Sequence, residues 1–194
     1  MSDERVTFYF AYNSPYAFLA DTRIDEALAP LGVAVDRVPV YQPSTGGGPD
    51  FNSPRIQYMI QDIARFAKAY GLTLNPGPFA DTGRACLGSL HACELGDGEG
   101  FHDRIYRARW LDGRDIGDEA TLVEIAEASG LDRAPFLAAI GEASPFAEVR
   151  ARHAAAAEAD GVFGFPFFVY KGQKFWGNDR IEWLVAAIGE HRQK

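Results

Sequence analysis

Three short stretches of this 194-residue chain combine residue types that suit chemistry. The first is Asn13-Ser14-Pro15-Tyr16, directly after the run Val6-Thr7-Phe8-Tyr9-Phe10. Serine followed by proline opens a helix. The hydroxyl accepts from the first free N–H groups, and proline at the first helical position sacrifices no bond. Such an N-terminus carries partial positive charge and stabilises an anion, a thiolate included. Two other Ser-Pro pairs, Ser53-Pro54 and Ser144-Pro145, are read as plain caps. Ser14 differs by its place after the first strand-like run, because open α/β sheets bind ligands at the carboxyl ends of their strands.

The second stretch is Gly164-Phe165-Pro166-Phe167, where an X-Pro bond just ahead of a strand is a candidate cis peptide. A proline that merely starts a strand is the simpler reading. The third is Phe175-Trp176-Gly177-Asn178-Asp179-Arg180. A helix start needs one cap, and Asn178 or Asp179 supplies it. The remaining carboxylate can hold the ammonium of an amino-acid-like ligand. No metal site is expected: Cys86 and Cys93 share one helix face while His91 points elsewhere, and zinc wants four convergent ligands or three plus water. His102, His153 and His191 have no evident partners and are read as surface residues.

The elements that position these residues follow from periodicity. Val6 to Phe10 is a buried strand, the segment from Ser14 to Pro30 a helix broken by Gly32, and Val33 to Val40 a second strand. Strand, helix and strand in so short a span make a βαβ unit with a parallel pair. A polar loop follows, Pro43-Ser44-Thr45-Gly46-Gly47-Gly48-Pro49, and then a run of helices. These start at Ser53-Pro54, Thr82, Gly100, Asp118, Asp132 and Ser144-Pro145, with Gly71, Gly130 and Gly161 as stops. Phe167 to Tyr170 and Lys174 to Trp176 form a hairpin, and a last helix carries Ile181, Leu184, Val185 and Ile188. This order predicts an α/β, thioredoxin-like fold with a large all-helical insertion. The thioredoxin-like domain spans 1–42 and 145–194, and the inserted helical domain 43–144.

Bulk properties narrow the function. The net charge of −8 disfavours nucleic acid and an anionic membrane surface. No apolar run reaches the length of a membrane span. Two cysteines seven residues apart on a helix are too far apart for a disulfide, which fits a reducing, cytoplasmic setting.

Phe8-Tyr9-Phe10 with Ser14-Pro15-Tyr16, then Gly161-Val162-Phe163-Gly164-Phe165-Pro166, then Phe175 to Arg180, resemble the 2-hydroxychromene-2-carboxylate isomerases. These are relatives of the kappa-class glutathione transferases in the DsbA-type thioredoxin superfamily. The resemblance runs along nearly the whole chain. It implies glutathione as cofactor, with its thiol near Ser14, its cysteinyl backbone on Phe165 ahead of a cis-proline, its γ-glutamyl end at Asn178 and Asp179, and Trp176 among the residues that bind it. Relatives have a lysine ahead of the first inserted helix; Arg55 stands there and keeps the positive charge. Relatives also have an asparagine in the loop after the second strand. Here Pro43 to Gly48 replaces that loop, and Asn52 is the nearest substitute.

The resemblance further implies a homodimer and a small aromatic substrate, isomerised by reversible addition of thiolate. Tyr12, Tyr16, Phe163, Phe165 and Trp176 are candidates to line a slot for a flat ring. A kappa-like transferase and a non-catalytic thioredoxin-fold binding module are the alternatives. Serine cannot form a mixed disulfide, so dithiol exchange at Ser14 is not expected.

Overall fold

The computed structural model describes residues 4–43 and 49–192, so the expected loop at Gly46-Gly47-Gly48 lies outside the described residues. The chain divides into two compact units at Val40/Tyr41 and Ala151/Arg152.

The first unit holds a four-stranded mixed sheet in the order β2-β1-β3-β4. Its strands are β1 (Arg5–Phe10), β2 (Ala34–Pro39), β3 (Phe167–Tyr170) and β4 (Gln173–Trp176). β1 runs parallel to β2, with Phe8 opposite Arg37, and antiparallel to β3, with Phe8 opposite Phe168. Helix α1 (Pro15–Leu28) makes the crossover between β1 and β2, as a parallel pair requires. Lys171 (φ 47°) and Gly172 (φ 81°) close the β3–β4 hairpin, a two-residue turn with both φ positive.

Alternation along the strands divides the aromatics between the two faces. Phe8 and Phe168 stack at 4.9 Å on one face. Tyr170 shares that face and packs its ring edge-on at 6.0 Å against His191 of α8 (Ile181–Arg192). On the other face Tyr9, Val40 and Phe167 bury with Ala157 of α7 (Ala147–Ala159), and Phe165 packs against that cluster. The Tyr9 hydroxyl donates to Asp160 at 2.7 Å, just past the end of α7. Burial, and then the neighbouring carboxylate, push the Tyr9 phenol well above its ordinary range, so it stays a donor. Glu4 accepts from Lys171 at 2.7 Å, from Arg192 at 2.7 Å and from Tyr170 at 3.1 Å. The Lys171 and Arg192 bonds hold its carboxyl down to about 2, and the group clamps the start of β1 to the hairpin turn and α8.

The second unit holds α2 (Pro54–Ala69), α3 (Gly83–Glu94), α4 (Gly98–Trp110), α5 (Glu119–Ala128), α6 (Arg133–Ile140) and the start of α7. α3 is buried from Ala85 to Ala92 and packs on α4, α5 and α6. A Cβ at Gly88 would meet Phe136 at 2.9 Å and Phe101 at 3.0 Å, so the absent side chain sets how closely these elements approach. α2 is different: Ala67 is its one buried residue, and Tyr58 and Ile60 are exposed.

Two expectations are corrected. The Ser144-Pro145 pair does not start α7, which begins at Ala147. Ser144 is buried in the preceding turn, where its hydroxyl donates to the Ala139 carbonyl and accepts from the Phe146 N–H at 3.1 Å. His102 is a buried residue and not a surface one; it packs edge-on against Tyr106 at 4.7 Å. No described helix is long and apolar enough to cross a membrane.

Candidate functional site

Ser14 caps α1 as its type dictates. Its backbone is extended (φ −87°, ψ 112°), its Oγ accepts from the Ala17 N–H at 3.2 Å, and Pro15 takes the first helical position. The Ser14 N–H donates to Ala11 O at 2.9 Å, which fixes the turn out of β1. A cap uses only a lone pair and leaves the hydroxyl proton available. Here that proton goes to the carbonyl of Phe165, 3.1 Å away and 151 residues on in the chain.

The Phe165-Pro166 peptide is cis. Phe165 sits in this place because its side chain packs into the Tyr9, Val40, Ala157 and Phe167 cluster. The Tyr9–Asp160 bond closes that cluster from the α7 side. Sequence reasoning missed this support. The one signal for it was a polar tip on Tyr9 amid an apolar strand.

Pro166 connects to the third stretch: its carbonyl accepts from the Gly177 N–H at 3.1 Å. Gly177 has φ 119° and ψ 150°, backbone that disfavours any side chain, and a Cβ there would meet Asp179 Oδ1 at 2.5 Å. Residues 178–180 then form one 3₁₀ turn against α1 before α8 begins. Within that turn the two polar residues separate. Asn178 is 3% exposed and belongs to the packed interior. Asp179 is half-exposed and pairs with the equally exposed Arg180 at 2.6 Å. The acid–base neighbour in the sequence is thus its resting partner, a contact that sequence reasoning passed over.

The aromatics also separate. Tyr12 is fully buried, edge-on to Phe10 at 5.1 Å, and belongs to the core and not to a slot. Phe163 (69% exposed) and Trp176 (53% exposed) meet edge to face at 4.7 Å and form an accessible aromatic corner. Gly164 permits this, since a Cβ there would stand 2.7 Å from Trp176 Nε1.

Ser14, Phe165, Trp176, Asn178 and Asp179 therefore all lie in the first unit, and bonds through Pro166 and Gly177 link them. Arg55 is exposed at the second position of α2, and Asn52 is exposed in the turn ahead of it, both in the helical unit. Both thiols are free and also lie in the helical unit. Burial pushes Cys86 up to about 12, which leaves it without nucleophilic thiolate.

A β2-β1-β3-β4 sheet, a helix N-terminus after β1 and a cis Phe165-Pro166 peptide whose Phe165 carbonyl accepts from Ser14 at that helix start define a thioredoxin-fold protein. The chain belongs to the family of the DSBA-like thioredoxin domain, whose model matches residues 5–189. It is 29% identical over 191 residues to the 2-hydroxychromene-2-carboxylate isomerase of Sphingobium xenophagum, covering 94% of this chain and 97% of that one. The Pseudomonas putida protein of the same name is 25% identical, with 95% and 94% covered. Among solved structures, a 2-hydroxychromene-2-carboxylate isomerase superposes with a TM-score of 0.82 at 23% identity, covering 97% and 96% of the two chains. The cytosolic disulfide reductase DsbM of Pseudomonas aeruginosa, solved with GSH, gives 0.71 at 18% identity, covering 98% and 100%. At these identities the two structures establish the fold.

Proposed function

We propose that this chain is a glutathione-dependent isomerase acting on an intermediate of aromatic degradation of the 2-hydroxychromene-2-carboxylate type. The observation that carries the reading is the Ser14 hydroxyl, held at the N-terminus of α1 with its one proton directed at Phe165 O. A serine so placed is a hydrogen-bond donor beside a helix dipole and is not itself a redox nucleophile. Relatives that bear the isomerase name along nearly their whole length support the reaction class.

The residues fit glutathione. Ser14 Oγ is a donor for the sulfur, the Phe165 backbone meets the extended cysteinyl unit, and the half-exposed carboxylate of Asp179 is a counter-charge for the γ-glutamyl ammonium. When bound, glutathione supplies a nucleophile that adds to an unsaturated carbon and leaves again, with no net redox change. The work of this chain is to hold that sulfur as thiolate. Hydrogen bonding from Ser14 and the α1 dipole both favour the charged form and lower the thiol pKa. Phe163 and Trp176 offer an aromatic edge to a flat ring.

The test is isomerisation of 2-hydroxychromene-2-carboxylate followed by absorbance, with a parallel titre of free thiol. Turnover that requires glutathione and leaves the thiol titre constant is the expected result. Stoichiometric loss of thiol would assign the kappa-like transferase reading, and no response to glutathione would overturn the cofactor. Calorimetry of glutathione with Asp179→Ala is expected to show binding weakened about 10-fold or more, the loss of one charge-assisted contact.

A further inference from the structure

We propose that the Ser14 hydroxyl is a one-proton selector that makes this site prefer glutathione with a free thiolate over glutathione substituted at sulfur; the inference rests on the glutathione reading above. Both lone-pair and proton partners of Ser14 are fixed by the fold. Its oxygen accepts from the Ala17 N–H at 3.2 Å, which pins Oγ at the helix start. Its hydroxyl donates its proton to Phe165 O, 3.1 Å from Oγ. The hydroxyl has no second proton, so it serves either the carbonyl or an arriving sulfur.

A thiolate and a thioether settle that choice differently. A thiolate is an anionic acceptor, and hydrogen bonds to charged groups are roughly twice as strong as neutral ones. It takes the Ser14 proton and releases Phe165 O to accept from the ligand's own backbone N–H. A thioether sulfur is a weak acceptor. With an S-substituted ligand the proton stays on Phe165 O, and the ligand N–H meets a carbonyl already engaged. Ser14 thus rewards the free thiolate and penalises the substituted form. An isomerase gains from this, since its covalent adduct is itself sulfur-substituted, and stabilising the free thiolate relative to that adduct favours the elimination that regenerates the thiol.

The two effects have opposite signs when the hydroxyl is removed, and this makes the selector testable. Dissociation constants for glutathione and for S-methylglutathione are measured by calorimetry on the full chain, for wild type, Ser14→Ala and Ser14→Gly. Glycine is a tolerated N-cap, so that variant keeps the helix start if the alanine variant fails to fold. In both variants glutathione is expected to bind about 10-fold more weakly or worse, while S-methylglutathione binds several-fold more tightly. If both ligands weaken alike, Ser14 only shapes the helix start and the selector is overturned. Unchanged S-methylglutathione affinity overturns it too, because Phe165 O would then be accepting both donors on its two lone pairs. Wild-type protein that binds neither ligand overturns the glutathione reading together with the selector.

Discussion

Ser14-Pro15 and Ser53-Pro54 are one motif in two settings. Both serines hold extended backbone, both place proline at the head of a helix, and both accept from the N–H three residues on, at 3.2 Å from Ala17 and 3.3 Å from Ile56. Up to that point neither is special. The difference lies in the hydroxyl proton: Ser14 donates it across the sheet unit to Phe165 O, whereas Ser53 has no such acceptor among the described residues. The third pair, Ser144-Pro145, is not a helix cap at all; its serine ties a buried turn to Ala139 and Phe146. The motif thus reports only a local backbone preference, and under the proposed function the two differ in what the rest of the fold brings to the unused proton.

Truncating each serine to alanine measures that difference. The largest effect is expected at Ser14. Loss of the donor should lower kcat/KM for the isomerisation by on the order of 100-fold, about 2.7 kcal/mol, as for other single donors to a developing or bound anion. Ser144→Ala strands a buried N–H and a buried carbonyl and should cost about 1–3 kcal/mol of stability in urea unfolding, with glutathione affinity unchanged. Ser53→Ala removes a cap alone and should cost about 1 kcal/mol with no change in turnover. A Ser53 variant as catalytically impaired as the Ser14 variant would break the comparison.

What the sequence disclosed and what it hid follow the same division. Ser14, Ser53 and Asp118 cap the helices that residue type assigns to them. Gly32, Gly71, Gly130 and Gly161 all take positive φ where helix stops were expected, because these choices are made within a turn or two of backbone. The β1–β2 and β3–β4 pairings followed from the βαβ unit and the hairpin, each a short-range pattern, whereas the β1–β3 pairing that joins them is long-range. The contacts that build the site are long-range: Ser14 to Phe165 and Tyr9 to Asp160 each join residues 151 apart. No periodicity encodes such a pairing. The burial of Asn178 and of Tyr12 was hidden likewise, since a polar or aromatic residue at an element's edge has the same local signature inside and out.

The sheet's central pairing, Phe8 against Phe168, also sets an order in time. A ribosome adds about 5–20 residues per second, so making residues 41–151 takes on the order of ten seconds. During that interval β1 and β2 exist without β3. A two-stranded piece is marginal by itself, and the open edge of β1 is a template for other strands. The helical unit is continuous in sequence and can be complete before the sheet is. The half of the molecule that carries Ser14 is therefore begun first and finished last, and the nascent chain is most exposed to misassembly, and most in need of a chaperone's cover, along that one strand edge.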